Sequence, residues 1–324
     1  MKLLDIYSSF KQDIAFIERA LEQTVQSDHP FLTETSIHLL KAGGKRIRPV
    51  FVLLSGQFGE YDLERLSKVA VALELIHMAT LVHDDVIDDA DTRRGELTVK
   101  SKWDNRIAMY TGDYIFAKAL TVISQLGEAE IHRSLSKAIV EMCIGEIEQI
   151  RYFFRTDQTV RDYLLRIRRK TALLIAISCK LGAMAAGASE SVVNGLYSYG
   201  YNVGMAFQIR DDILDLTGNE RQLGKPPGSD VKQGNITLPV ILAIRESGLK
   251  QNILREIERI RQSEGQADAG ALLEMVRQSG GIRQSDQLAA KYIRKAVGAI
   301  AGLSDGKAKK SLVEIAHFVG SRSY

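Results

Sequence analysis

Residues 69–88 read VAVALELIHMATLVHDDVID. Val69, Val71, Ala72, Leu75, Ile76 and Ala79 recur at intervals of three and four, the period of a helix with a wide apolar face. The same habit extends far on either side. The five prolines are Pro30, Pro49, Pro226, Pro227 and Pro239, so the stretch from Val50 to Lys225 lacks the residue that most reliably breaks helices. That stretch is rich in Ala, Leu, Ile, Glu, Lys and Arg, the residues helices prefer. No convincing run of alternating strands with hairpin turns interrupts it. The fold class expected is therefore all-α, with residues 1–324 forming one domain of long packed helices around a sizeable core.

The quoted segment ends in acids. Asp84, Asp85 and Asp88 are matched more than a hundred residues later by Asp211, Asp212 and Asp215, in the same DDxxD spacing. On a helix, positions i and i+4 stack, so Asp84 lies over Asp88 and Asp211 over Asp215, with Asp85 and Asp212 a step round the axis. Like charges so placed repel, and a hard divalent cation reverses the sign of that interaction. Mg²⁺ in particular takes one or two carboxylates, several waters and phosphate oxygens. Two such clusters facing each other would hold a diphosphate between them. A single acidic run is commonly a solvated helix face. Repetition argues against that here, as do the apolar flanks Leu81-Val82-His83 and Phe207-Gln208-Ile209. A calcium loop fits poorly, because its sixth position from Asp84 would be Asp89 where glycine is needed.

Charge and composition narrow the partners. The net charge of +3 is modest and both signs are interspersed, which gives nucleic-acid binding no support. Cys143 and Cys179 lie in apolar helical contexts without metal spacing and read as buried thiols in a reducing cytoplasm. Asp5 stands where a secretion signal needs its apolar run. The most apolar stretch, Thr171 to Ala188, is cut by Lys180 and falls short of the roughly 20 residues of a span. A soluble, cytoplasmic protein with at most peripheral membrane contact is expected.

Other motifs fall around the aspartates. Residues 1–26 read as one amphipathic helix and Leu32 to Lys41 as a second, ended by Gly43-Gly44. The following loop sets Lys45, Arg46 and Arg48 beside those glycines, with Pro49 opening the next helix. A glycine cap followed by solvated cations is the commoner meaning of such a string. His77 precedes Asp84 by two helical turns and shares its face. Arg93 and Arg94 follow the first cluster, suited to bidentate phosphate contacts. Gly145 sits inside a segment from about Asn105 to Ile150 that reads as helical, at a cost of about 1 kcal/mol against Ala, which implies close packing or room for a ligand. Of the basic run Arg166, Arg168, Arg169 and Lys170, a solvated face covers most. The pair retained is Lys170-Thr171, where the chain turns apolar. Gln208 lies one turn before Asp211 on a helix from about Val192 to Leu216, and Gly224 to Asp230 is a Pro/Gly loop, a candidate lid. Beyond Thr237 ordinary helices are expected, with a mobile stretch around Gly265 to Gly270.

Taken in order, Gly43-Gly44-Lys45-Arg46-Ile47-Arg48-Pro49, the two DDxxD motifs, Arg93-Arg94-Gly95, Lys170-Thr171, Phe207-Gln208 and Gly224-Lys225, the chain resembles the trans-type polyprenyl diphosphate synthases over nearly its whole length. Within that family it looks most like the larger, catalytic subunit of the two-component bacterial members that form heptaprenyl diphosphate. The resemblance implies an isoprenoid-synthase bundle of antiparallel helices around a central cavity. It implies Mg²⁺-dependent condensation of isopentenyl diphosphate with an allylic diphosphate, farnesyl diphosphate or longer. Asp84, Asp85, Asp88, Asp211, Asp212 and Asp215 would hold the Mg²⁺ ions. Lys45, Arg48, His77 and Arg94 would bind isopentenyl diphosphate; Arg93, Lys170, Thr171, Gln208 and Lys225 would bind the allylic diphosphate.

Short-chain members place aromatic rings four and five residues before the first aspartate. Thr80 and Ala79 stand there, and Ile76 lies a turn below, so the growing tail has room. A product of hexaprenyl length or longer is expected, heptaprenyl favoured, of the kind that supplies menaquinone side chains. Asn235 stands where most stand-alone members carry Lys, which agrees with the need for a smaller partner subunit in a heterodimer. Two alternatives use much the same residues. A class I terpene cyclase has no second substrate to hold, and a non-catalytic prenyl-diphosphate-binding regulatory subunit typically loses the metal-binding aspartates.

Overall fold

The computed structural model describes residues 3–218, 226–245 and 248–321. In chain order the helices are α1 Leu3–Ser9, α2 Lys11–Thr24, α3 Pro30–Lys41, α4 Ile47–Gly56, α5 Leu63–Ile87, α6 Val99–Lys102, α7 Asn105–Ile123, α8 Ala129–Arg151, α9 Val160–Ile167, α10 Leu173–Ala185 and α11 Glu190–Thr217. They continue as α12 Ser229–Lys232, α13 Leu238–Arg245, α14 Lys250–Gln262, α15 Gly270–Gln278, α16 Gly281–Ala299 and α17 Lys307–Gly320. Between α9 and α10 lies one turn of π-helix, Arg168–Ala172. Two-residue strands β1, Thr92–Arg93, and β2, Glu96–Leu97, are the sole sheet among the described residues. The all-α class holds, with a miniature hairpin that the sequence did not announce.

The chain forms two compact units. The first comprises residues 1–136, 177–197 and 303–314. At its heart is α5, packed against α7 and α4. Val69, Ala70, Ala72, Leu73, Leu75 and Ile76 have no measurable exposure, so this helix is apolar nearly all round, the signature of a core element. It is also long and apolar enough to cross a membrane, but 72% of the qualifying window is buried inside the protein. Asp62 caps its start by accepting from the amides of Glu64 and Arg65.

The second unit comprises residues 137–176, 198–302 and 315–324. Its core gathers Tyr163, Ile167, Met205, Ile209, Ile213, Ile236, Ile241, Ile257 and Leu272. Helix α9 starts in a capping box: Thr159 Oγ1 accepts the Asp162 amide while the Asp162 carboxylate accepts the Thr159 amide at 2.8 Å. Gly145 of α8 and Gly204 of α11 both abut the π turn. A Cβ on Gly145 would lie 2.6 Å from the Arg169 Cβ, and one on Gly204 would lie 2.5 Å from the Ala172 Cα. Close packing is therefore the reason for glycine at 145, and it pins the backbone that carries Lys170 and Thr171.

Several boundaries differ from the sequence reading. Within the expected helix over 1–26, the described residues form two helices, Leu3–Ser9 and Lys11–Thr24, that break at Phe10, whose side chain is buried. Pro30 occupies the first turn of α3, two residues earlier than expected. The segment from Asn105 to Ile150 is two helices. Asp104 caps the first through the Ile107 amide at 2.8 Å, and Gly127 lies in the turn before the second. The stretch thought mobile is a tied turn: the Gly265 amide donates to the Ile260 carbonyl at 3.0 Å, and Arg259 reaches the Asp268 carbonyl.

Both cysteines were expected to be buried, and Cys143 is exposed while Cys179 is enclosed. Burial pushes the Cys179 thiol up to about 12, far above the neutral range in which a thiolate would react. Native protein at pH 8 should therefore release one equivalent of thionitrobenzoate with Ellman's reagent and two after denaturation. Rapid modification of both thiols in the native state would contradict the placement of Cys179.

Candidate active site

In the first unit the acidic end of α5 faces an electrostatic penalty. The helix closes at Ile87 with Asp88 as its cap, whose amide donates to the Asp84 carbonyl at 2.7 Å. Three carboxylates thus crowd the negative end of a helix dipole, which adds to their mutual repulsion. Asp84 and Asp88 are partly exposed, whereas Asp85 is 2% exposed. Arg93 grips Asp85 Oδ1 through Nη2 at 2.6 Å and Nε at 2.7 Å. Burial nonetheless raises the Asp85 carboxyl above its ordinary value, outweighing the pull of Arg93.

Arg93 and Arg94 are delivered by the hairpin. Arg93 pairs with Glu96, and the two residues between them, Arg94 and Gly95, have φ of 57° and 84°. Positive φ at both central positions defines a type I′ turn, which normally recruits Asn-Gly or Gly-Gly. Arginine in that first position is held at some cost in backbone strain. Its guanidinium occupies the space a side chain on Gly44 would fill: a Cβ there would lie 2.5 Å from Arg94 Nη1.

The loop before α4 completes this region. Arg46 is 7% exposed and bonds Glu18 at 2.6 Å, Glu74 at 3.1 Å and the Leu40 carbonyl at 3.3 Å. Arg48 differs: its Nε is buried with no hydrogen-bond partner, and burial pushes the guanidinium down to about 10. Lys45 is exposed. His77 is held well below its ordinary value, first by burial and then by Arg48, Arg94, Arg93 and Arg46. A cleft in this unit is lined by Gly43, Arg46, Glu74, His77, Asp85 and both hairpin arginines. Four guanidiniums around a neutral imidazole, one of them with an unsatisfied donor, suit a phosphate-bearing ligand.

The second unit builds its site on the π turn and α11. Thr171 Oγ1 donates to Gln208 Oε1 at 2.7 Å, and Gln208 Nε2 donates to Asp212 Oδ1 at 2.8 Å. Asp212 Oδ2 accepts from the Tyr163 hydroxyl at 2.6 Å. Asp212 is 3% exposed, and its carboxyl lies well above the ordinary range, chiefly from burial and then from the charge of Asp230, despite the hydrogen bonds of Tyr163 and Gln208. Asp215 is also buried and anchors the following loop: its carbonyl accepts the Gly228 amide at 2.8 Å and its Oδ2 the Asp230 amide at 3.2 Å. Asp211 is exposed. Lys170 bonds Glu146 at 3.0 Å, so a bound anion would have to share it. Gly224 and Lys225 lie outside the described residues.

The basic run is not a solvated face. Arg168 and Arg169 bond Glu141 at 2.5 and 3.0 Å, and Arg169 also bonds Glu148 at 2.5 Å. Arg166 is 6% exposed, stacks over the rings of Tyr152 and Tyr163, and donates to Gln158 at 2.7 Å and to the Ile236 carbonyl at 2.9 Å. Tyr163, Arg166, Glu74 and Glu146 carried no motif that singled them out; the capping box before α9 was the one local signal near Tyr163. Of the chain-length positions, Ile76 and Ala79 are buried, and Thr80 is partly exposed with its hydroxyl on the His77 carbonyl at 2.8 Å.

The donor chemistry fits a hard divalent cation. Both clusters are all-carboxylate, and Asp85 and Asp212 are pushed toward protonation in a way that a cation would reverse. Among the described residues no three acidic, His or Cys side chains form a ready metal cage.

The polyprenyl synthetase family model matches residues 29–276, and the chain belongs to that family. It is therefore an enzyme that transfers prenyl groups. It is 53% identical over 324 residues to heptaprenyl diphosphate synthase component 2 of Geobacillus stearothermophilus, covering 100% of both chains. The crystal structure of heptaprenyl diphosphate synthase from Staphylococcus aureus superposes with a TM-score of 0.90 at 41% identity, covering 97% of this chain and 98% of that one. The polyprenyl synthase from Caulobacter crescentus CB15, complexed with calcium and isoprenyl diphosphate, gives a TM-score of 0.92 at 32% identity, covering 99% and 98%. The cyclase and regulatory-subunit alternatives are not favoured by these matches.

His77 supplies a pH test. Its folded value is depressed, so below about pH 6.5 the unfolded chain takes up a proton that the native state refuses. Stability is thus fully present above pH 6.5 and falls as pH drops toward the folded value. His77→Gln should flatten the slope of unfolding free energy between pH 5 and 6.5 by up to about 1.4 kcal/mol per pH unit in denaturant titrations. An unchanged slope would mean that the imidazole titrates normally.

Proposed function

We propose that this chain condenses isopentenyl diphosphate with farnesyl diphosphate or a longer allylic diphosphate, with Mg²⁺ as the metal, to give an all-trans polyprenyl diphosphate of heptaprenyl length. The observation that carries the reading is the buried, unpartnered Nε of Arg48 beside His77. It supports a second anion contact beside the first aspartate cluster, which two-substrate condensation requires and simple ionisation of one diphosphate does not. Both units would act as one catalytic domain, as the family match running through segments of each supports.

The residues divide the work. Lys45, Arg48, His77 and Arg94 bind isopentenyl diphosphate, with neutral His77 serving as a hydrogen-bonding partner rather than a charge. Arg93, Lys170, Thr171, Gln208 and Lys225 bind the allylic diphosphate. Asp84, Asp88 and Asp211 present the accessible carboxylates for Mg²⁺. Asp85, Asp212 and Asp215 complete the two clusters, fixed by Arg93, by Tyr163 with Gln208, and by the 226–230 loop. Mg²⁺, when bound, neutralises charge on the departing diphosphate as a Lewis acid. The isopentenyl double bond then attacks the allylic carbon, and the departing diphosphate takes the proton whose loss restores an alkene. Buried apolar walls on α5 keep water from the allylic cation.

The relatives' component names and Asn235 support a heterodimer with a second, smaller subunit, and the proposed role is a cytoplasmic one, supplying menaquinone side chains. Incubation with radiolabelled isopentenyl diphosphate, farnesyl diphosphate and Mg²⁺, with and without extract from the source cells, tests this. Extended product should form with the extract, disappear with chelator and return with Mg²⁺. Full turnover by the purified chain alone would overturn the two-component reading, and no incorporation in either condition would overturn the condensation reading. Under the conditions that give product, Ala79→Phe should shorten it by at least one isoprene unit; unchanged length would place the floor of the tail pocket elsewhere.

A further inference from the structure

Tyr7 and Glu18 lie on α1 and α2, outside the residues 29–276 that the family model matches, yet both reach into the cationic loop before α4. The Tyr7 hydroxyl donates to the Lys45 carbonyl. Glu18 takes the Arg46 guanidinium in a two-point contact, Nε to Oε1 at 2.6 Å and Nη2 to Oε2 at 3.3 Å. The two contacts fall on consecutive residues, one on the Lys45 carbonyl and the other on the Arg46 side chain. We propose that α1 and α2 act as a clamp on this loop, and that Tyr7 and Glu18 are positioning residues for the isopentenyl diphosphate site; this rests on the assignment of Lys45 and Arg48 to that site.

Three features make the contacts more than a staple for the amino-terminal helices. Arg46 caps α4 with φ of 44°, a left-handed conformation that is strained for a non-glycine residue. Such a conformation persists only where its surroundings over-determine it, and here Glu18, Glu74, the Leu40 carbonyl and Tyr7 do so. Second, the clamp sorts the cations. Arg46 is consumed by two carboxylates, whereas Arg48, two residues on, keeps a buried Nε without a hydrogen-bond partner. Third, Glu74 has one buried oxygen without a hydrogen bond and relies on Arg46 for compensation. Glu74 is also one helical turn from His77. Displacing Arg46 would therefore disturb both the loop and the face of α5 that carries the imidazole.

Glu18 is 37% exposed, so its pair with Arg46 adds little to global stability, and its contribution should be read in the geometry of the loop. Glu18→Gln and Tyr7→Phe keep side-chain size and remove only the charge or the hydroxyl. With each variant, steady-state kinetics are measured on the enzyme in its active form, varying each substrate separately. The KM for isopentenyl diphosphate should rise about tenfold, as loss of one charged hydrogen bond's worth of order implies. The KM for the allylic diphosphate and kcat should stay within about twofold. Tyr7→Phe is the gentler variant and keeps the test open if Glu18→Gln expresses poorly. Equal rises in both KM values, or unchanged KM values in either variant, would overturn the clamp. Arg48→Ala separates this from the underlying assignment. If it raises the isopentenyl KM while Tyr7→Phe and Glu18→Gln do not, the site stands and the clamp fails; if it leaves that KM unchanged, the site assignment itself fails.

Discussion

Burial of like charge is the constraint on which this molecule is organised. Asp85 and Asp212 are nearly inaccessible members of acidic clusters at the carboxyl-terminal ends of long core helices, and both carboxyls are driven up by burial. Arg48, in the first unit, suffers the reverse and is pushed down. Internal partners relieve part of this: Arg93 for Asp85, Tyr163 and Gln208 for Asp212. Under the proposed function, a metal and phosphate would offset the uncompensated remainder. A buried charge with an incomplete partner set costs several kcal/mol, so a chain that keeps so many gives up stability in the ligand-free state and recovers it on binding.

The supporting architecture follows from holding those groups still. Helix α5 is buried nearly all round, which fixes the azimuth of His77, Asp84 and Asp85 together. The π turn is wedged against Gly145 and Gly204, so Thr171 can order Gln208 and, through it, Asp212. A tight hairpin with arginine in a left-handed position throws Arg93 and Arg94 back toward the end of α5. Each device uses a local cost, whether strain, an irregular helix turn or a glycine, to place one side chain.

Much of this was legible in the sequence. Period and the absence of proline gave the helical class, and the doubled DDxxD spacing marked the chemistry, because short-range patterns express both. Gly145 announced a close contact but not its partner, Arg169. Less was legible where meaning depends on distant residues. Lys45, Arg46 and Arg48 are similar cations in one string, and their different fates depend on Glu18 and Glu74. Arg166 looked like its neighbours, yet it is buried beneath two tyrosines, while Arg168 and Arg169 pair with α8. Tyr163 carried no motif at all, since its role depends on the carboxylate of Asp212, 49 residues away in the chain. The break at Phe10 leaves no mark in the sequence, because apolar periodicity continues across it.

The central claim is that the accessible carboxylates take the metal while the enclosed ones remain fixed by the protein. A crystal structure with Mn²⁺ and a non-cleavable allylic diphosphate analogue, read by anomalous scattering, tests it most directly. Metal is expected against Asp84, Asp88 and Asp211, with the contacts of Arg93 to Asp85 and of Tyr163 and Gln208 to Asp212 intact. Metal bound directly to Asp212 with the Tyr163 contact broken, or metal absent from both clusters, would contradict the account.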